Sequence, residues 1–113
     1  MKDIEEKQRV YLNDIHAAIL RIETYAEGGE ETFFHDGKTQ DAIIRQISII
    51  GEAVAKLPES LKSKYSEIPW KDIVGMRNIV IHDYADTDLP SVWETVERDL
   101  PLLKRTVEKI LSS

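Results

Sequence analysis

The sequence predicts an all-α fold, an antiparallel four-helix bundle filling one domain over residues 1–113. Three observations carry that expectation. Apolar residues recur at spacings of three and four in four separate segments, as they do in helices that bury one face. No stretch of strict apolar–polar alternation competes with them, so strands have no comparable claim. The 5 glycines and 4 prolines are few, and most of them fall where such helices would have to stop.

Tyr11, Ile15, Ala18, Ile22 and Tyr25 lie on one stripe of a helix expected from about Asp3 to Glu27. Leu12 and Ile19 widen the stripe, and Gly28-Gly29 supplies the stop. Thr32 to Gly37 reads as a short turn whose aromatics, Phe33 and Phe34, tuck into the core. Ile43, Ile47, Ile50, Val54 and Leu57 repeat the spacing in a second helix, about Lys38 to Leu57, closed by Pro58. Ile44, Ile49 and Gly51 lie elsewhere on its surface, so this helix should be buried on more than one side. Glu59 to Ser66 suits a further short helical turn. Pro69 then opens a helix from about Trp70 to His82. The last helix begins near Asp88 to Ser91, where Ser91 and Glu94 have capping-box spacing. It carries Trp93, Val96, Leu100, Leu103, Val107 and Ile110. Pro101 lies inside that pattern and should kink it, because its backbone donor is missing.

Composition narrows the function classes. Hydrophobic residues make up 42% of the 113 and charged residues 32%, a balance that suits a folded helical protein rather than a disordered one. No apolar run approaches the roughly 20 residues of a membrane span. The start, Met1-Lys2-Asp3-Ile4-Glu5-Glu6, lacks the apolar core of a signal peptide, so a cytoplasmic address is expected. With 0 cysteines, disulfides, zinc–thiolate sites and thiol nucleophiles are excluded. The net charge of −6 speaks against a broad basic face for nucleic acid, so any RNA contact has to be local.

The chemistry concentrates in Arg77-Asn78-Ile79-Val80-Ile81-His82-Asp83-Tyr84. An arginine can clamp a phosphate through two hydrogen bonds from a planar cation. A histidine can give and take protons near neutral pH. In an unbroken helix Tyr84 returns to within about 20° of Arg77, whereas His82 points roughly 140° away. The groups converge only if the helix ends near Ile81, or if a second chain completes the site. Both arrangements stay open at this point.

The spacing of Arg77, His82 and Tyr84 resembles the R-x4-6-H-x-Y signature of HEPN domains, and Asn78 fits its commonest form. Trp70-x-x-Ile73-x-Gly75-Met76, Ile50-Gly51-Glu52-Ala53 and Asp99-Leu100-Pro101 extend the similarity to the HepT branch over nearly the whole chain. That resemblance implies a metal-independent ribonuclease without cofactor. It also implies a homodimer whose two motifs line a shared cleft, and an MNT-type nucleotidyltransferase antitoxin as partner. By position, Arg77 would hold the scissile phosphate. His82 would be general base toward the ribose 2′-hydroxyl or general acid toward the leaving oxygen. Asn78 would orient the phosphate or the imidazole. Tyr84 would contact RNA and accept AMP from the antitoxin.

Each residue also has a plainer reading. Arg77 suits a buried ion pair with Glu52 or an aspartate, His82 a helix end, and Tyr84 a core position with its hydroxyl at the surface. Glu52 is expected to face Arg77 or Arg45 as a structural acid. His16 and His35 read as surface or turn residues, and Trp70 and Trp93 as helix-start packing rather than base-stacking platforms. Paired Glu-x-x-His motifs of a di-iron bundle are absent, as are glycine-rich phosphate loops. The rival to a nuclease is a non-catalytic helical dimer that binds a nucleotidyltransferase or its nucleotide substrate. A third reading makes the chain purely a substrate for AMP transfer.

Overall fold

The computed structural model describes residues 5–77 and 88–113. Every regular element among them is helical. These are α1 (Glu6–Tyr25), α2 (Gly29–His35), α3 (Gly37–Ala55), α4 (Glu59–Lys62) with a 3₁₀ turn (Ser63–Tyr65), α5 (Trp70–Met76), α6 (Leu89–Glu94), a π turn (Thr95–Asp99) and α7 (Leu100–Leu111). None of these helices is long and apolar enough to cross a membrane.

α1 and α3 form the centre, with α5 packed on α3 and α7 laid along α1. Side-chain pairs fix the direction of the last contact. Arg9 Nη1 donates to the Leu111 carbonyl at 3.3 Å, His16 Nε2 lies 2.8 Å from Glu108 Oε2, and Lys104 Nζ donates to Glu23 Oε2 at 2.9 Å. Residue numbers rise along α1 as they fall along α7, so the two helices run antiparallel. Such exposed pairs each contribute only about 0–1 kcal/mol, and they mark register more than they hold the fold. Stability comes from the core, where Leu12, Ile15, Ile19, Ile22, Ile43, Ile50, Val54, Leu103 and Val107 are almost wholly buried. Each such side chain contributes roughly 1.5–3 kcal/mol by leaving water.

Several expectations are refined. The buried stripe of α1 runs through Leu12, Ile15, Ala18, Ile19 and Ile22, while Tyr11 is only half-buried and Tyr25 is exposed at the helix end. Gly29 takes φ 86°, a left-handed value that costs glycine little, and it breaks the chain between α1 and α2. The segment expected as a turn is a seven-residue helix, α2, which inserts Phe33 completely into the core. Its ring stacks at 5.1 Å and 31° on Trp93 and meets Phe34 edge-on at 5.2 Å. α3 is buried on several sides, as its sequence implied.

The capping box at Ser91 and Glu94 is corrected. Asp88 caps α6 instead, its carboxylate accepting from the Ser91 backbone N–H at 3.2 Å and from the Ser91 hydroxyl at 2.7 Å. The helix therefore starts at the early end of the expected Asp88–Ser91 range, and Ser91 serves the cap from inside it. Pro101 does interrupt the regular pattern, through the π turn immediately before it. Leu100 N–H reaches back five residues to the Thr95 carbonyl, a wider turn that relieves the proline ring of the carbonyl four residues behind it.

Candidate functional site

Of the four sequence-predicted site residues, Arg77 lies within the described part of the structure. Asn78, His82 and Tyr84 lie outside it, as does the expected continuation of the Trp70 helix to His82. Arg77 follows α5 as its C-cap residue, half-buried, with φ −61° and its N–H bonded to the Val74 carbonyl at 3.2 Å.

The local sequence explains that position. Pro69 precedes the helix, and the Trp70 indole N–H is held by the Lys62 and Tyr65 carbonyls at 3.1 and 3.0 Å. This ties the α5 start to the α4 segment and bears out Trp70 as a helix-start packing residue. One turn on, Ile73 is buried with 2% exposure, and Arg77 stands one further turn along the same face. That face meets α3 at Gly51. A Cβ added to Gly51 would come within 2.9 Å of Arg77 Cβ and 3.1 Å of the Ile73 carbonyl oxygen. The glycine therefore lets the two helix backbones touch where the arginine leaves the core. The base of the arginine side chain is held by a backbone-close contact.

The expected pairing of Arg77 or Arg45 with Glu52 is not made. Among the described residues Glu52 forms no ion pair and is exposed. Rotation explains this: Gly51 is the position aimed at Arg77, and the next residue along a helix turns about 100° away.

Near Asp72 of α5, the Asp99 carboxyl has its pKa pushed up, first by burial and then by the Asp72 and Glu94 carboxylates. The charged form is thus the disfavoured one in the folded chain. Its penalty is present at neutral pH and is relieved as pH falls through the raised pKa, fully so only below the ordinary carboxylate value of 3.8. The Asp99→Asn variant should accordingly melt higher than the parent at pH 7, with the gap closing as thermal scans approach pH 4. An unchanged gap across that range would rule the carboxylate out as its source.

A concave groove of about 620 Å³ opens beside α5, which sequence reasoning missed. It is formed between the α4 segment, the end of α3 at Ala55 and the outer side of α5 from Trp70 to Val74. Lys62 lines it with 8% of the residue exposed, its four-carbon stem packed away. Among the described residues, no group of three or more His, Asp or Glu is placed to hold a metal ion.

Comparison with known proteins places this architecture. A family model described as Ribonuclease HepT-like matches residues 15–110. The chain is 41% identical over 108 residues to the "Probable ribonuclease HepT" of Thermococcus cleftensis, covering 95% of this chain and 98% of that protein. It is 44% identical over 104 residues to a Methanocaldococcus jannaschii protein named "Gamma-glutamylcyclotransferase and putative RNase", covering 91% of this chain and 47% of that relative. The chain thus spans about half of that longer protein. No solved structure matches it.

Proposed function

The chain belongs to the HepT-like ribonuclease family, and from that premise we propose that it is a metal-independent endoribonuclease, the toxin of a toxin–antitoxin pair. The observation that carries the reading is the intact set Arg77, Asn78, His82 and Tyr84 in a chain of this family, with the arginine stem clamped at the Gly51 contact.

In this mechanism the Arg77 guanidinium holds the non-bridging phosphate oxygens and stabilises the charge that builds on them during attack. The imidazole of His82 takes the proton of the ribose 2′-hydroxyl as that oxygen bonds to phosphorus. The bond from phosphorus to the 5′-oxygen breaks, and the leaving oxygen takes up a proton. The products are a 2′,3′-cyclic phosphate and a 5′-hydroxyl. Asn78 orients the phosphate or the ring, and Tyr84 contacts the RNA. A homodimer brings a second imidazole, so one can serve as base and the other as acid. General acid–base help is worth about 10²–10⁴ in rate, enough for a slow nuclease on an already labile bond.

Control follows from the same residues. A nucleotidyltransferase antitoxin of MNT type transfers the adenylyl group of ATP to the Tyr84 hydroxyl, releasing pyrophosphate and the phenolic proton. The new phosphodiester places a bulky anion beside Arg77 and His82 and blocks the phosphate site by size and charge. The net charge of −6 favours a second reading, a non-catalytic dimer that binds the nucleotidyltransferase. Cleavage of labelled RNA in excess chelator separates the two. The unmodified protein should cut and leave cyclic phosphate ends, the Tyr84→Phe variant should escape AMP transfer, and His82→Ala should lose cutting. Failure of the unmodified protein to cut transfer, messenger or ribosomal RNA selects the binding reading.

A further inference from the structure

The groove beside α5 is lined by one lysine whose stem is packed away, Lys62. Lys62 has its side chain only 10% exposed, and among the described residues its one ion pair is with Glu59, at 3.8 Å. That carboxylate is 92% exposed, so water screens it from the amine. No hydrogen bond from the Lys62 ammonium is made among the described residues, although it carries three donors. The stem is packed against the fold and the ammonium faces the groove with one solvent-screened partner, a position from which it can pair with an incoming anion.

The surroundings define the anion further. The Ser63 and Ser66 side chains line the groove with Lys62, while Trp70, Val74 and Ala55 give it an apolar wall. The Lys71 cation and the Asp72 carboxylate lie along the same lining, and both residues are exposed. A volume of about 620 Å³ lies inside the range of about 300–1,000 Å³ that small-molecule sites occupy. The groove also adjoins the candidate phosphate site. Val74 is three residues before Arg77 on α5, and Ala55 is one helical turn beyond Gly51 on α3. The step from its near edge to Arg77 is therefore about one turn, ~5.4 Å, of the order of one nucleotide along an unstacked strand.

We propose that this groove is a binding subsite for the nucleotide adjoining the scissile phosphate of an RNA strand, with its phosphate on Lys62 and its sugar and base against Trp70, Val74 and Ala55. The proposal rests on the ribonuclease reading for the position of the scissile phosphate. It explains how a chain of net charge −6 takes hold of RNA without a basic face: the contact is one ammonium in a concave wall. A protein partner with an acidic side chain offers the same ammonium a carboxylate, but it does not call for an apolar wall of nucleotide size next to Arg77.

Two substitutions test the subsite. Lys62→Met keeps the stem and removes the charge, and Ala55→Leu narrows the groove without touching any charge. Each is checked by thermal melting, so that if one fails to fold the other still decides. Both should raise the KM for single-stranded RNA about 5–10-fold with kcat unchanged, as expected when binding equal in ground and transition state is lost. Binding of a labelled 2′-O-methyl oligonucleotide, which cannot be cut, should weaken by the same factor. For Lys62→Met the dependence of log K on log salt should flatten by about 0.7, the share of one phosphate contact on a single strand. If the parent cuts RNA while both folded variants keep its KM, affinity and salt slope, the subsite is refuted and the nuclease stands. If the parent binds the uncuttable oligonucleotide through Lys62 yet cuts nothing, the nuclease reading falls and the subsite stands. Displacement by oligoglutamate of a probe that RNA does not displace would overturn the subsite in favour of a protein partner.

Discussion

Arg77→Ala is expected to lower RNA cleavage by about 10²–10³-fold while changing folding stability by less than about 1 kcal/mol. The two readouts together decide what the arginine is for. A guanidinium that stabilises charge in the transition state is lost from kcat, at about 2.7–4 kcal/mol of barrier. A guanidinium serving as one half of a buried ion pair is lost from stability instead, at about 3–5 kcal/mol, because its partner is left charged and alone. For a domain of this size the second outcome would lower Tm by well over 10 °C, so the two are easily told apart. Arg77→Lys sharpens the test. Lysine keeps the charge but not the planar fork, so a bidentate clamp should lose about 10-fold or more in rate where a simple counter-ion would lose little. A large fall in Tm with cleavage retained would return Arg77 to the structural reading.

What the sequence disclosed, and what it withheld, follows from which forces are local. The long helices were legible because their apolar spacing is written within a single turn: Ile43, Ile47, Ile50 and Val54 are all buried on α3, as that spacing required. α2 was not, since its seven residues are too few to show an apolar period, and what fixes it is the contact of Phe33 with Trp93, 60 residues away in sequence. The sequence brackets the start of the last helix between Asp88 and Ser91, but both have capping chemistry, and only the folded chain shows which of the two accepts the first N–H. Glu52 was misplaced because an acid beside a glycine on a helix looks close to anything the glycine touches, whereas one residue of rotation sends it to solvent.

The candidate site divides along the same line. The residue types and spacing of Arg77, Asn78, His82 and Tyr84 are sequence information, and so was the family. The groove is not, because Lys62, Ala55 and Trp70 come from three elements that only tertiary packing brings together. A signal was present in hindsight: Leu61-Lys62-Ser63 precedes Trp70 in a short helical segment with an apolar side, where a lysine has few ways to avoid burial. No spacing rule marks such a residue.

The strongest structural dependence of the proposed site is on a residue that carries no chemistry. Gly51→Ala adds one methyl group, and helix propensity alone would make it stabilising by about 1 kcal/mol. The packing opposes this. The new carbon would fall 2.9 Å from Arg77 Cβ and 3.1 Å from the Ile73 carbonyl oxygen, and neither is the far end of a flexible side chain that can swing aside. α5 as a whole has to move off α3. Overpacking of that kind costs about 1–3 kcal/mol, so the net change should be a loss of up to about 2 kcal/mol, read as a lower urea midpoint. Activity should fall further than stability, because displacing a clamping group by about 1 Å can cost 10²-fold in rate. Gly75→Ala is the control: it lies in α5 with nothing among the described residues within 4 Å of an added Cβ, so there the propensity gain should stand alone and raise the midpoint. If Gly51→Ala instead matches Gly75→Ala in stability and keeps full cleavage, the close approach of α3 and α5 does not position Arg77, and the arginine's placement has to come from elsewhere in the chain.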